Sequence, residues 1–365
     1  AIARAEGWQN RANELLTHEE KAIQEQMLRL VTHPMDKVAL TQLIDQSFRS
    51  DSAKRVADQI MYLLKKNGVP DFFNTMDRLL VQMFRGVGRH LPWLTIPKVI
   101  DKMRQQSSRA IIPGETEALH AHLKKRKEQG VRMNINHLGE AVLGEGESRH
   151  RLETYLADLA NPEVEYLSVK ISTIYSQITA IAFEESVAVL KDRLSMLYRA
   201  ARDHRFTRKD GTQVPKFVNL DMEEYRDLDI TAEAFRRTLD ETEFQDHSAG
   251  IVLQAYLPDS FAMQQSLTQW ARSRLAKGGA PIKIRIVKGA NMEMEMVEAA
   301  LRGWAIAPYD NKLEVDANYK RMVRYGMEPE NIRAVHLGIG SHNLFELAYA
   351  FEMARKNGGT DFFSF

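Results

Sequence analysis

The sequence predicts an α/β chain, a (βα)8 barrel truncated after its seventh strand and preceded by an all-helical arm. Three observations carry that prediction. From about Val131 onward, a short strand-like run ending in polar or charged residues repeatedly gives way to a helix-like stretch, which implies parallel βαβ units. Within the runs, polarity alternates. Leu167, Val169 and Ile171 oppose Ser168, Lys170 and Ser172; Val218, Leu220 and Met222 oppose Asn219, Asp221 and Glu223; Ile282, Ile284 and Ile286 oppose Lys283, Arg285 and Val287. Successive strand side chains point to opposite faces, so each strand offers an apolar side to helices and a polar side to a lumen. Parallel sheets covered on both faces read instead as continuous apolar runs. A lumen collecting Asn134, Asn136, Lys170, Asp221, Glu223, Gln254, Arg285 and His336 is no ordinary packed core, and something polar is expected to sit in it. Third, residues 1–130 show no strand alternation at all.

Helices are expected in the arm, 1–130, over 19–31, 35–48, 52–65, 71–84, 97–107 and 115–128. They are separated by His33-Pro34, Gly68-Val69-Pro70, Leu91-Pro92 and Pro113-Gly114, residues that start and stop helices. The stretch from Ile60 to Phe84 is apolar at helical spacing and should bury one face, on the barrel or on a second subunit. The barrel, 131–365, reads as strands over 131–138, 165–172, 216–223, 249–256, 281–289, 332–340 and 360–365. Its helices fall over 147–160, 183–205, 231–244, 259–277, 291–302, 313–326 and 343–357, and 205–213 reads as a polar turn.

Composition narrows the function classes. The 50 Lys and Arg nearly cancel the 49 Asp and Glu, so no long-range attraction to nucleic acid is implied. The absence of cysteine excludes disulfides, thiolate nucleophiles and cysteine-ligated metals. No apolar run approaches the roughly 20 residues that span a bilayer. The first residues lack an initiator Met and a signal-peptide core. The last, 361–365, form a strand where an eighth strand and two helices would still be needed, so a fragment of a larger enzyme is expected.

Active sites of such barrels lie at the C-terminal ends of the strands. Lys170, placed there, can hold a substrate carboxylate, act as a base or form a Schiff base, or it can simply pair with Asp221 or Glu223. Alternation sends Asp221 and Glu223 inward and Glu224 outward. Two inward carboxylates fit acid–base work or pairing to lumen cations, and a metal is disfavoured beside Lys170, Lys283 and Arg285. In RIVKGAN, Arg285 suits an anion or an electron-rich ring edge, and Gly289 after Lys288 permits close backbone approach to a ligand or merely makes the turn. Asn343 with Glu346 fits a capping box at a helix start that faces the barrel mouth, where free N–H groups favour phosphate. His342 has no capping duty and leans functional.

In order, LGEA (138–141), SVKIS (168–172), NLDMEE (219–224), LQAY (253–256), RIVKGAN (285–291) and GSHN (340–343) resemble the strand-end motifs of the proline dehydrogenase family, and more narrowly those of the bifunctional proline utilization A flavoenzymes. The resemblance covers about 131–365, and the preceding helices are similar to that family's arm. It implies a distorted TIM-like (βα)8 barrel holding FAD, which oxidises L-proline to Δ1-pyrroline-5-carboxylate and passes electrons to membrane quinone. By position, Lys170 would bind or orient substrate, Asp221 would support the substrate pocket, and Arg285 would lie by the flavin N5. Met222, Gln254, Lys288, Gly289, Ala290, Ser341 and His342 would contact FAD. The resemblance also implies a downstream aldehyde dehydrogenase domain and a cytoplasmic protein, peripherally membrane-associated in its working state, with no metal and no nucleic-acid partner; a homo-oligomer stays open. Two departures stand out. Asn291-Met292 occupy the place of an aromatic pair common in the family. The family's eighth strand and following helix, with a Tyr and an Arg pair that clamps the proline carboxylate, have no counterpart before Phe365, so the chain as written is expected to lack full activity.

Two rivals remain at this point. One is a Schiff-base barrel enzyme, aldolase-like or PLP-dependent, using Lys170 or Lys288. The other is a non-catalytic helical interaction protein, which leaves the charged lumen without a reason.

Overall fold

The computed structural model describes residues 1–365 except 33, 48, 72, 74, 87, 108–111, 113 and 138–141. The helices are α1 (Ile2–Leu15), α2 (His18–Thr32), α3 (Pro34–Ser47), α4 (Ala53–Asn67), α5 (Thr75–Gly86), α6 (Pro92–Ser107), α7 (Thr116–Glu128), α8 (Glu145–Ala160), α9 (Ile171–Ile174), α10 (Phe183–Asp203), α11 (Leu228–Leu239), α12 (Asp259–Ala276), α13 (Met292–Arg302), α14 (Lys312–Gly326), α15 (Pro329–Ile332) and α16 (Leu344–Lys356). The strands are β1 (Asn134–Asn136), β2 (Tyr166–Lys170), β3 (Arg205–Thr207), β4 (Gln213–Pro215), β5 (Phe217–Asp221), β6 (Gly250–Gln254), β7 (Ile282–Val287), β8 (Val335–Gly340) and β9 (Phe363–Ser364). Two compact units divide the chain: Ala1–Gln9 with His120–Phe365, and Asn10–Leu119.

In the smaller unit, α4 buries Val56, Ala57, Ile60, Leu63 and Leu64, a stripe at helical spacing. Part of that stripe packs with Phe84 of α5 and Ile96 of α6, so the face read from Ile60 to Phe84 is buried in part among this unit's own helices, where the barrel or a second subunit was expected. Helix α6 begins at Pro92, five residues before the expected start, because Pro92 takes the first position, where a missing N–H is harmless. Pro97 then lies inside the helix. Helix α1 was not anticipated. Its first residues are tied into the larger unit by an Arg4–Glu352 ion pair and by Trp8, whose ring meets Phe351 edge-on at 5.8 Å.

In the larger unit seven parallel strands form one curled sheet in the order β1-β2-β5-β6-β7-β8-β9, the half-barrel architecture of a truncated TIM-like barrel. Every strand is shorter than its sequence run. At the last one, a single 3-10 turn, Thr360–Phe362, precedes just two sheet residues, which pair as Leu337↔Phe363 and Gly338↔Ser364. The polar turn expected over 205–213 is the tip of a hairpin in which β3 pairs antiparallel with β4; Phe206, opposite Val214, is buried. That single apolar side chain makes pairing worthwhile in a polar stretch.

The alternation read from the sequence sets the core. Leu167, Val169, Val218, Leu220, Ile251, Leu253, the three isoleucines of β7 and Val335, Leu337 and Ile339 share one apolar cluster with Leu190, Leu194, Phe235, Leu239, Leu267, Met322 and Val323 of the surrounding helices. The opposite faces of the same strands turn inward and carry the polar groups. Arg274 of α12, almost fully buried, donates to the carbonyls of Leu239, Phe244, Gln245, His247 and Ala280 and so holds the turn entering β6.

Candidate active site

The strand register brings Lys170 opposite Asp221, and Arg285 reaches Asp221 from two strands away. Asp221 is 8% exposed. Its Oδ1 accepts from Arg285 at 2.7 Å and from Asn219 at 2.9 Å, and its Oδ2 accepts from Asn136 at 2.8 Å. Burial pushes this carboxyl above the ordinary aspartate range, and Arg285, Ser168, Asn219 and Lys170 pull it back. Lys170 pairs with Glu223 at 3.0 Å, so of the two partners open from sequence it takes the more distal carboxylate. Glu223 also accepts from Ser172. Thus Lys170, Asp221, Glu223 and Arg285 form one linked set at the strand ends.

Around this set lie the other expected residues. Gln254, 3% exposed, donates to the carbonyls of Met222 at 2.6 Å and Glu223 at 3.2 Å, which fixes the bend after β5; its own carbonyl oxygen is buried without a partner. Gly289 has φ +119°, and a Cβ there would stand 1.9 Å from a ring carbon of Tyr256, so only glycine fits. Gly289 and Ala290 are exposed at the end of β7. Asn291 donates to the Glu223 carbonyl at 2.8 Å, and Met292 packs against the cluster of Tyr256, Leu257 and Val315. These are the contacts made where the aromatic pair was missing.

Lys288 lies 2.5 Å from both Asp316 and Glu346. Burial alone would lower its pKa, but the bonds to the two carboxylates raise it overall. Here one expectation needs correction. Asn343 does cap α16, accepting from Phe345 N at 2.9 Å, but Glu346 does not complete a capping box. Its buried carboxylate accepts from Ser341 Oγ at 2.7 Å and pairs with Lys288, because a charge-assisted pair outweighs a return bond to a backbone N–H. Ser341 is therefore joined to Lys288 through Glu346, while His342 is exposed. The LGEA motif, 138–141, lies outside the described residues.

Sequence reasoning missed Gly338. On β8 it pairs with Arg285, and a Cβ there would lie 3.1 Å from Arg285 Cγ and 3.2 Å from Lys283 Cε. The signal was present in the alternate glycines of LGIG, which leave the inward face of β8 empty for its neighbours' long side chains.

Chemically the arrangement offers a permanent cation beside a buried carboxylate, a lysine–glutamate pair above it, and a strand-end turn whose backbone is open to close approach. The family described as Proline dehydrogenase matches residues 119–365. A proline dehydrogenase of Deinococcus radiodurans is 35% identical over 107 residues, 29% of this chain and 27% of that protein. Among solved structures, proline utilization A (PutA) from Corynebacterium freiburgense is 42% identical with a TM-score of 0.66, covering 81% of this chain and 29% of its own. PutA from Bdellovibrio bacteriovorus, inactivated by N-propargylglycine, is 27% identical with a TM-score of 0.75, covering 99% of this chain and 36% of its own. The chain thus spans between about a quarter and just over a third of the length of these relatives. With the family match running over the whole half-barrel, the chain belongs to the proline dehydrogenase family.

Proposed function

We propose that this chain carries the proline-oxidising site of a PutA-type enzyme: FAD-dependent conversion of L-proline to Δ1-pyrroline-5-carboxylate, with electrons passed on to a membrane quinone. The observation that carries the reading is the Asp221–Arg285 pair at the mouth of a polar lumen, in a chain whose 119–365 match the family. A flavin fits the residues present. The orphaned buried Oε1 of Gln254 and Nε of Arg285 await polar partners, and Gly289, whose missing side chain makes way for the Tyr256 ring, is exposed at the turn, so its backbone is open to a ring system on the other side. Met222, Gln254, Lys288, Gly289, Ala290, Ser341 and His342 would hold it. When bound, the flavin supplies a hydride acceptor at N5.

The protein's part is positioning and electrostatics. Arg285, fixed by Asp221, places positive charge where negative charge develops at the acceptor. Asp221, held by Asn136 and Asn219, keeps the guanidinium in one orientation. Lys170, paired to Glu223, orients the substrate through its carboxylate. Arg285, a permanent cation beside the substrate's place, disfavours the ammonium form of proline, leaving the nitrogen lone pair free to assist departure of the hydride. Lys288 is a poor Schiff-base nucleophile, since its two carboxylates stabilise the ammonium. In its working state the protein is proposed to be cytoplasmic, to meet the membrane peripherally and to be followed by an aldehyde dehydrogenase domain. None of the described helices is long and apolar enough to cross a membrane.

A version extended past Phe365 and supplied with FAD should show a flavin absorption band that bleaches anaerobically on adding L-proline and returns on adding a soluble quinone. N-propargylglycine, which inactivated the Bdellovibrio PutA, should inactivate it too. Absence of a flavin band, or a lysine adduct trapped by borohydride with proline, overturns the proposal.

A further inference from the structure

The lumen has a second polar end. Where the strands begin, about 13 Å along β2 from Lys170, a cavity of about 250 Å³ opens among Arg132, Tyr166, Lys283, His336 and Ser364. Lys283 points into it from the inward face of β7. Its Nζ donates to Ser364 Oγ at 2.8 Å and lies 5.4 Å from the centre of the Tyr166 ring. Among the described residues no carboxylate is ion-paired with this half-buried ammonium. Glu165 is already held by Arg132 at 2.8 Å and Arg208 at 3.0 Å, and Asp221 by Arg285. Of the residues lining the cavity only Asp361 is acidic, and it is exposed.

The ring of Tyr166 lines the cavity while its hydroxyl is buried away from it. The ammonium of Lys283, facing the cavity with no carboxylate paired to it among the described residues, lacks an oxygen atom carrying negative charge. The volume falls below that of ordinary drug-sized pockets, so the occupant is compact. We propose that the lower lumen is a second ligand site, taking a small oxyanion, a carboxylate or inorganic phosphate, on Lys283 and Arg132. No part of this rests on proline oxidation at the strand ends.

The charged and titratable groups around Lys283 are Arg132, Arg285, His336, Tyr166, Glu165 and Asp361. Burial, then Arg132 and Arg285, brings Lys283 down to about 8, and burial followed by Lys283 lowers His336. A bound anion reverses the first of these, which provides a readout independent of turnover. The rate of trinitrophenylation of Lys283, followed by peptide mass spectrometry across pH, should give a midpoint near 8 in chloride. At matched ionic strength, phosphate or acetate should protect Lys283 saturably and move the midpoint upward. Protection by phosphate alone identifies a phosphate site, and protection by acetate alone or by both identifies a carboxylate-accepting one. By calorimetry Lys283→Met should abolish binding of the protecting anion and Arg132→Gln should weaken it severalfold. If neither anion protects beyond chloride, or if Arg132→Gln binds as tightly as the parent protein, the site does not exist. Arg132→Gln alone decides should Lys283→Met fail to fold.

Discussion

Asn136 and Asp221 lie on strands that are not neighbours, yet the asparagine amide reaches the carboxylate at 2.8 Å, over the top of β2. With Asn219 and Arg285 this gives the carboxylate three donors from three strands, β1, β5 and β7. The bonds tie the wall of the lumen together and hold a charge that burial alone would neutralise.

Arg285→Met should slow flavin reduction by proline by about 100-fold, the scale of losing one preorganised charge. It also strands Asp221. A fully buried pair would cost about 3–5 kcal/mol on losing one member, and less is expected here because a quarter of the Arg285 side chain is exposed. Stopped-flow reduction and thermal melts on one sample separate the two effects. Unchanged reduction with a lowered melting temperature would reduce Arg285 to a structural partner.

Lys170→Met should raise the proline KM roughly tenfold while FAD stays bound, since its role is on the substrate side. Glu223→Gln should do less, because Lys170 keeps its charge and loses only the group that aims it. Equal loss of kcat and kcat/KM with no change in KM would place Lys170 in the chemical step instead.

Two glycine substitutions should differ sharply. Gly289→Ala combines a left-handed φ with a Cβ 1.9 Å from the Tyr256 ring and should destabilise the fold by several kcal/mol or rebuild the turn. Gly338→Ala meets only the flexible stems of Arg285 and Lys283 at 3.1 and 3.2 Å, so the protein should fold and reduce its flavin more slowly. Melting curves with flavin reduction rates test both, and a normally active Gly338→Ala protein would mean that the placement of Arg285 tolerates a push.

The stability profile against pH has two limbs with assigned causes. His247, buried between Tyr198 and Phe244, is held down to about 4 by burial with Arg202 adding to it. The unfolded chain takes up that proton first, so stability falls as pH drops from 6.5 to about 4. His247→Phe should flatten this limb by up to about 3 kcal/mol. On the alkaline side, burial brings Lys216 and Lys283 to about 8. Unfolded lysines keep their protons to about 10.4, so stability should rise as pH climbs from about 8 toward 10. Denaturant titrations of the parent and of Lys216→Met across that range check the sign.

Much of this was legible in the sequence because period-2 alternation encodes direction. Once Lys170, Asp221 and Arg285 were placed on inward faces, their meeting followed from parallel strands. Which carboxylate each cation takes was not legible. Lys170 chooses Glu223 and Lys288 chooses Glu346 through the bend after β5 and the start of α16, and loop geometry leaves no periodic trace. Glu346 misled for a definite reason: its spacing from Asn343 is that of a cap, and only the distant Lys288 redirects it. The hairpin of β3 and β4 and the helix α1 escaped because their pairing and packing depend on one or two side chains, Phe206 and Trp8, in otherwise polar stretches.

The strand order has a consequence for how the molecule is made. Each strand of the curled sheet pairs with the next one to leave the ribosome, the hairpin aside, at separations from 26 residues (Leu337↔Phe363) to 53 (Ile282↔Val335). Between neighbouring strands from β1 to β9 no strand waits for a distant partner, so this part of the sheet can lengthen by one strand at a time as synthesis proceeds. Asp221 emerges long before Arg285, and during that interval its carboxylate has Asn136, Asn219, Ser168 and the nearby Lys170 but not its guanidinium partner. The ion pair at the heart of the mouth is then among the later contacts to form, and a nascent chain halted before β7 would carry a half-built lumen open to water and to other chains.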